Sequence, residues 1–158
     1  SIIKGLDILT ENYYQVGDVI KYGTVRGKVL SIGLKTTKVE DIYTMNLVSL
    51  SNRNIDNVEV VSHMINIDIP LPYELKSSKA ETIIDEIVNK IKEMEKVENA
   101  EYRGVNNYSP SSIDYQVKVY SKPTDKVQVR RDSLTLILKE LENHNISIPY
   151  QQIDLHNK

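Results

Sequence analysis

Val25-Arg26-Gly27-Lys28-Val29-Leu30-Ser31-Ile32-Gly33-Leu34 reads as one long β-strand interrupted by Gly27 and Gly33. Aliphatic and β-branched residues suit an extended, half-buried backbone. Glycines inside such a run predict bends or bulges that curl a small sheet. On either side the grammar continues. Residues 18–22 are β-rich, and Gly23 permits a turn. Residues 36–40 and 44–50 supply two further strands. Asn52-Arg53-Asn54 is a turn, and residues 57–61 form a last short strand. Five short strands with glycine bends and no helix predict a small, strongly curved β-barrel.

From His63 onward the pattern changes. His63-Met64-Ile65-Asn66-Ile67-Asp68-Ile69-Pro70 alternates as a strand does. Ser78-Lys79-Ala80-Glu81 has the form of a capping box. Behind it Ile83, Ile84, Ile87, Val88 and Ile91 share one helical face, and the helix is expected to end near Lys96. Residues 100–107 and 112–121 are strands split by Ser109-Pro110-Ser111. Ile113, Tyr115, Val117 and Val119 fall on one face, with Asp114, Gln116 and Lys118 on the other. A second helix follows Lys122-Pro123-Thr124, with Thr124 as cap and Leu134, Ile137, Leu138 and Leu141 as its apolar stripe. Residues 146–148 or 153–155 supply a last strand. The order β-α-β-β-α-β is that of the ferredoxin-like split unit, an antiparallel sheet with both helices on one face. The chain is therefore expected to be α+β, in two domains.

Composition limits the function. The 158 residues carry 40% hydrophobic and 27% charged side chains, which is the globular range. Phe, Trp and Cys are absent, so Ile, Val, Leu and ten Tyr must build the core. Without Cys there are no disulfides, thiolate nucleophiles or Cys-based metal sites. A net charge of −2 gives no global attraction to nucleic acid or acidic lipid. The start, Ser1-Ile2-Ile3-Lys4-Gly5-Leu6-Asp7, is charged too early for a signal peptide. No run approaches the roughly 20 apolar residues of a membrane-spanning helix.

Several stretches together resemble one family. Tyr14-Gln15-Val16-Gly17-Asp18-Val19-Ile20 is similar to the F-x-V/I-G-D-x-I opening of the β-domain in small-conductance mechanosensitive (MscS-like) channels, with Tyr14 or a neighbour in the aromatic slot. Gly27 to Thr37 resembles the G-x-V-x-x-I-x-x-x-x-T run that follows. Ser51-Asn52-Arg53-Asn54-Ile55 resembles the P-N-x-x-I turn. Ser111-Ser112-Ile113 and Ile146-Ser147-Ile148-Pro149-Tyr150-Gln151-Gln152 resemble late family segments. Gly5 to Glu11 resembles the exit of the pore-lining helix. The resemblance marks Gly17, Asp18, Gly27, Gly33, Thr37 and Asn52 as structural motif positions. There are departures. Ser51 and Gln151 stand where Pro is usual, and Asn145 where Gly is. The hairpin at residues 40–45 lacks the common Asp-Gly turn.

The resemblance implies a five-stranded, Sm-like β-barrel over residues 14–62 and a ferredoxin-like domain over 63–158. Residues 1–13 would then be the remnant of the pore helix. It implies a channel part and no enzyme, with no cofactor or metal. Identical subunits would form a ring, typically a heptamer, anchored by transmembrane helices upstream of this chain. Membrane tension would open the pore to ions and small osmolytes. This portion would be the cytoplasmic vestibule of a cell-membrane protein, with the terminal closing strand of some members missing after Lys158. Asp56, Glu59, His63 and Glu93 are candidate charges for its portals.

Other readings find less support. His63, His144 and His156, with Asp68 or Asp154, lack the helix-paired spacing of zinc motifs and read as surface histidines. Ser111-Ser112 has no nucleophile elbow around it. Gly23-x-x-x-Gly27 is not followed by the G-K-[ST] of a phosphate loop. Lys126, Arg130 and Arg131 are interleaved with Asp125, Asp132 and Glu140, as on a solvated face. RNA binding is the main alternative, since both predicted folds host RNA readers. Arg103-Gly104 faintly echoes an RNA-binding signature, yet Val105 and Asn106 follow in place of stacking aromatics. A small-molecule sensor is a third class, with no ligand specified.

Overall fold

The computed structural model describes residues 13–55 and 57–149. They form two compact units, one ending at His63 and the other beginning at Met64. Residues 1–12, Asp56 and the stretch 153–155 lie outside the described residues. No described helix is long and apolar enough to cross a membrane.

The first unit is a five-stranded antiparallel sheet: β1 (Val19–Tyr22), β2 (Val25–Ile32), β3 (Thr36–Asp41), β4 (Leu47–Ser51) and β5 (Glu59–Val60). Its order is β4-β3-β2-β1-β5. Alternation sends Ile20, Val29, Val39 and Leu50 to one side, where they meet Tyr14 and Ile55 in a buried cluster. The expected barrel is not closed among the described residues. β5 is two residues long and is spent on β1, through Ile20↔Val60 and Lys21↔Glu59. It has no length left to reach β4.

The glycines act differently from the bends expected of them. The bulge in β2 falls between Val29 and Ser31, and so at Leu30. Gly27 is instead a site of close approach. A Cβ there would lie 2.8 Å from Val39 Cγ2 and 3.2 Å from the Glu40 carbonyl oxygen. Gly33 follows the strand, in the turn where its N–H donates to the Thr36 carbonyl at 2.8 Å. The β3–β4 turn manages without Asp-Gly. The Asp41 carboxylate accepts from the N–H groups of Tyr43 at 2.8 Å and Thr44 at 3.0 Å. Met45 takes the left-handed conformation at φ 62° that glycine usually supplies. Those backbone donors hold the Asp41 carboxyl below its ordinary pKa.

The second unit contains β6 (Met64–Leu71), α1 (Ser77–Lys92), β7 (Val97–Tyr108), β8 (Ile113–Ser121), a short 3-10 turn (Pro123–Asp125) and α2 (Lys126–Asn143). Its three strands run β6-β8-β7, all antiparallel. Alternation is strict on β6 and β8. Ile65, Ile67 and Ile69 stand opposite Val119, Val117 and Tyr115, and all are buried. Ala80, Ile83, Ile84, Ile87, Val88 and Ile91 of α1 cover that face with Val129, Ile137 and Leu141 of α2. Each fully buried Ile or Leu contributes about 1.5–3 kcal/mol. Both helices therefore lie on one side of the sheet, and the βαββα order matches the first five elements of the split unit. Its fourth strand is not among the described residues. Residues 146–148 belong to no strand and follow directly on the cap of α2.

That cap is a Schellman motif. Asn145 is left-handed at φ 56°. Its N–H donates to the Glu142 carbonyl at 3.0 Å, and the N–H of Ile146 donates to that of Leu141 at 2.8 Å. Ile146 then packs against the core. The helix starts depart from expectation. α1 begins at Ser77 behind Lys76, so Ser78 lies inside the helix and the capping box does not form. Leu75 packs on the core that holds Ala80, in the positions of a hydrophobic staple. Thr124 sits in the 3-10 turn and caps nothing. α1 stops at Lys92, short of Lys96. On α2, Leu134 and Leu138 are exposed, and the inward positions beside Ile137 and Leu141 belong to Val129, Ser133 and Glu140.

Two stability predictions follow from this packing. Gly27→Ala should lower stability by about 1–3 kcal/mol through overpacking. Val39→Ala should recover part of that loss in a double-mutant cycle read by urea unfolding. The Ser133 hydroxyl is fully buried and meets no hydrogen-bond partner among the described residues. Ser133→Ala should therefore raise stability by about 1 kcal/mol in the same assay.

Candidate functional site

The β unit is organised around a buried polar chain. Tyr14 is only 3% exposed. Its hydroxyl donates to Thr37 Oγ1 at 2.8 Å, and Thr37 Oγ1 donates to Asn52 Oδ1 at 2.7 Å. The Asn52 amide then donates to the Gly33 carbonyl at 2.7 Å and to that of Leu34 at 3.3 Å. The Asn52 backbone N–H donates to the Lys35 carbonyl at 2.9 Å. One side chain thus pins the β2–β3 turn to the end of β4. Buried polar groups must be satisfied in this way or they destabilise the fold. Burial raises the Tyr14 pKa, and the hydrogen bond with Thr37 opposes that rise.

Of the motif residues, Gly33, Thr37 and Asn52 come together in this chain. Gly17 and Asp18 build the turn that leads into β1. Gly17 has φ 97°, and its N–H donates to the Val29 carbonyl at 2.9 Å. Asp18 Oδ2 accepts from the Gln15 N–H at 2.9 Å. Gly27 lies opposite Asp41 and under Val39. Of the candidate portal charges, Glu59 lies exposed on β5 and lines a surface hollow of about 500 Å³ with Lys21 and Asn57. His63 is exposed in the same unit. Glu93 caps the C-terminus of α1 in the other unit. Asp56 lies outside the described residues.

The serines of the β7–β8 turn are braces. Ser109 Oγ and Ser112 Oγ both donate to the Asp114 carboxylate, at 2.5 and 2.7 Å. The tyrosines of β7 and β8 are split between the two faces of the sheet. Tyr102 and Tyr115 pack on the helix side with ring centroids 6.4 Å apart. Tyr120 points the other way and bonds Glu101 at 3.0 Å.

Sequence reasoning missed one cluster, on the facing sides of α1 and α2. Lys90 Nζ bonds Glu140 Oε1 at 2.6 Å, and His144 Nε2 lies 3.0 Å from Glu86 Oε2. The two helices are antiparallel, so steps of four residues on each bring the pairs together one turn apart. The available signal was a lone Glu140 on the buried face of a helix, one turn before a histidine.

Comparison with known proteins bears on both units. The family model "Mechanosensitive ion channel, beta-domain" matches residues 1–61. "Mechanosensitive ion channel MscS, C-terminal" matches residues 65–148. An uncharacterised MscS family protein of Aquifex aeolicus is 29% identical over 94% of the chain and 40% of its own length. A small-conductance mechanosensitive channel of Caldanaerobacter subterraneus is 26% identical over 94% of the chain and 54% of its own length. The chain thus spans about half the length of the curated relatives it matches. The closed-state crystal structure of Helicobacter pylori MscS shares the fold, with a TM-score of 0.77 at 22% identity over 99% of this chain and 64% of that one. Wild-type MSL1 of Arabidopsis thaliana matches with a TM-score of 0.64 at 20% identity over 96% of this chain and 56% of its own.

The buried chain gives a pH prediction. A raised folded-state pKa means that Tyr14 contributes its full stability below the unfolded value, near 10. That contribution is lost as pH rises from there through the folded value. Wild type should therefore lose stability relative to Tyr14→Phe above about pH 10. Thr37→Val, which orphans both neighbours, should cost about 1–3 kcal/mol per unsatisfied group at neutral pH. Urea midpoints across pH check both.

Proposed function

Because the chain belongs to the MscS family of mechanosensitive ion channels, we propose that it forms the cytoplasmic vestibule below the pore of a tension-gated channel and helps its subunits assemble. The observation that carries this reading is the consecutive match of a channel β-domain and a channel C-terminal domain, one to each unit. On this reading residues 14–62 are the β-domain and 63–158 the α/β wall of the vestibule.

The open sheet of the first unit supports an assembly role. The outer edges of β4 and β5 have no strand partner among the described residues. Unpaired edges invite pairing with another chain unless covered. A ring of identical subunits, seven in the proposed assembly, closes every such edge at once. On this reading the second unit, with two helices packed on one face of its sheet, supplies the wall element. Ions and small osmolytes would pass through the hollow it encloses, and Asp56, Glu59, His63 and Glu93 would set the local potential they meet. The family is one of channels and not of enzymes, and the braced serines fit that.

The test uses the complete subunit that carries this chain, expressed in cells without tension-gated channels of their own. It should restore survival of hypo-osmotic shock and give stretch-activated currents. Protein that reaches the membrane and gives no such current overturns the channel reading. Neutralising Asp56, Glu59, His63 and Glu93 together should shift anion-to-cation preference. Unchanged preference removes those four from the conduction path.

A further inference from the structure

We propose that α1 and α2 hold a divalent transition-metal ion of the zinc class between Glu86, Glu140 and His144. One donor atom from each residue lies within 4.8 Å of the other two. Zinc binds imidazole nitrogen and carboxylate oxygen at about 2.0–2.2 Å, which places tetrahedral donors about 3.4 Å apart. Closing the remaining gap needs only side-chain rotation, since Glu86 and His144 sit at the solvent edge. Glu140 and His144 are spaced i, i+4 on one helix end, a chelating pair, and Glu86 faces them from the neighbouring helix.

The backbone fixes the pair. The Schellman turn at Asn145 holds His144 at the C-cap of α2, with its N–H donating to the Glu140 carbonyl at 3.1 Å. Glu140 is 7% exposed and cannot swing away. The local charge favours a cation. Glu140, then Glu86 and Glu93, raise the pKa of Lys90, so this ammonium sits among carboxylates. Lys90 occupies one oxygen of Glu140, and its side chain is 52% exposed, free to leave for water. The donor set selects the metal. Imidazole with carboxylates suits zinc, nickel or cobalt, whereas magnesium and calcium favour all-oxygen sets. Three protein donors leave a fourth position for water or another ligand.

The experiment titrates Co²⁺ into the purified chain, followed by calorimetry and visible absorption, with Zn²⁺ as competitor. One ion per chain should bind, with a cobalt spectrum of low coordination number that Zn²⁺ abolishes. Glu86→Gln and His144→Gln alter edge side chains and should leave thermal unfolding of the metal-free protein nearly unchanged. Each should weaken binding at least about tenfold. Lys90→Met should tighten it, because the ammonium no longer competes for Glu140. Absence of one-to-one binding, or binding that both Glu86→Gln and His144→Gln leave unchanged, overturns the site. A Lys90→Met chain that binds more weakly removes Glu140 from the ligand set.

Discussion

A polar atom withdrawn from water must find its partner inside the chain, and the β unit meets that demand at Asn52. Its amide accepts from Thr37 and donates to the carbonyls of Gly33 and Leu34, while Thr37 satisfies Tyr14. This line crosses β3 and joins segments far apart in sequence. The apolar side chains of this unit are few, and Tyr14 is its largest buried one. A small core of that kind gains its unique geometry from polar partners as much as from packing. The turn at Gly33, the end of β4 and the approach to β1 all hang from the same line.

The second unit rests on a different principle and was accordingly more legible. Ile83, Ile84, Ile87, Val88 and Ile91 repeat at the helical period, and β8 alternates without a break, so the burial of both follows from periodicity alone. What periodicity cannot reach is the ends. Ser78 carries the letters of a cap, yet the helix is capped at Lys76, two residues earlier, with Leu75 in the staple position. On α2 the mixed pattern 129, 133, 137, 140, 141 includes a serine and a glutamate, so a search for leucines selects Leu134 and Leu138, which face water. Barrel closure was illegible for a related reason. Sequence marks a strand by composition, and closure depends on length, which β5 lacks.

The motif residues divide by the kind of cause behind them. Gly17 is required by its backbone angle, Gly27 by the methyl group of Val39, and Thr37 and Asn52 by hydrogen bonds across the sheet. A family pattern names these positions without distinguishing the reasons. The Asp41 turn shows the converse. A different set of residues, with a carboxylate and a left-handed Met45, builds the hairpin that Asp-Gly would otherwise make. The Glu86, Glu140 and His144 cluster was hidden because its members are local on α2 and distant on α1.

The shortness of β5 also bears on motion. Two residue pairs tie it to β1, while β6 and β8 share eight. Opening free energies in a folded chain are graded by how much structure each opening breaks. The strand at Glu59–Val60 is held by the fewest residue pairs in the first sheet, so opening it breaks the least structure. The sheet thus behaves as a ribbon clamped at one end and loose at the other. The strand with the fewest pairs is the one that leads out of the β unit.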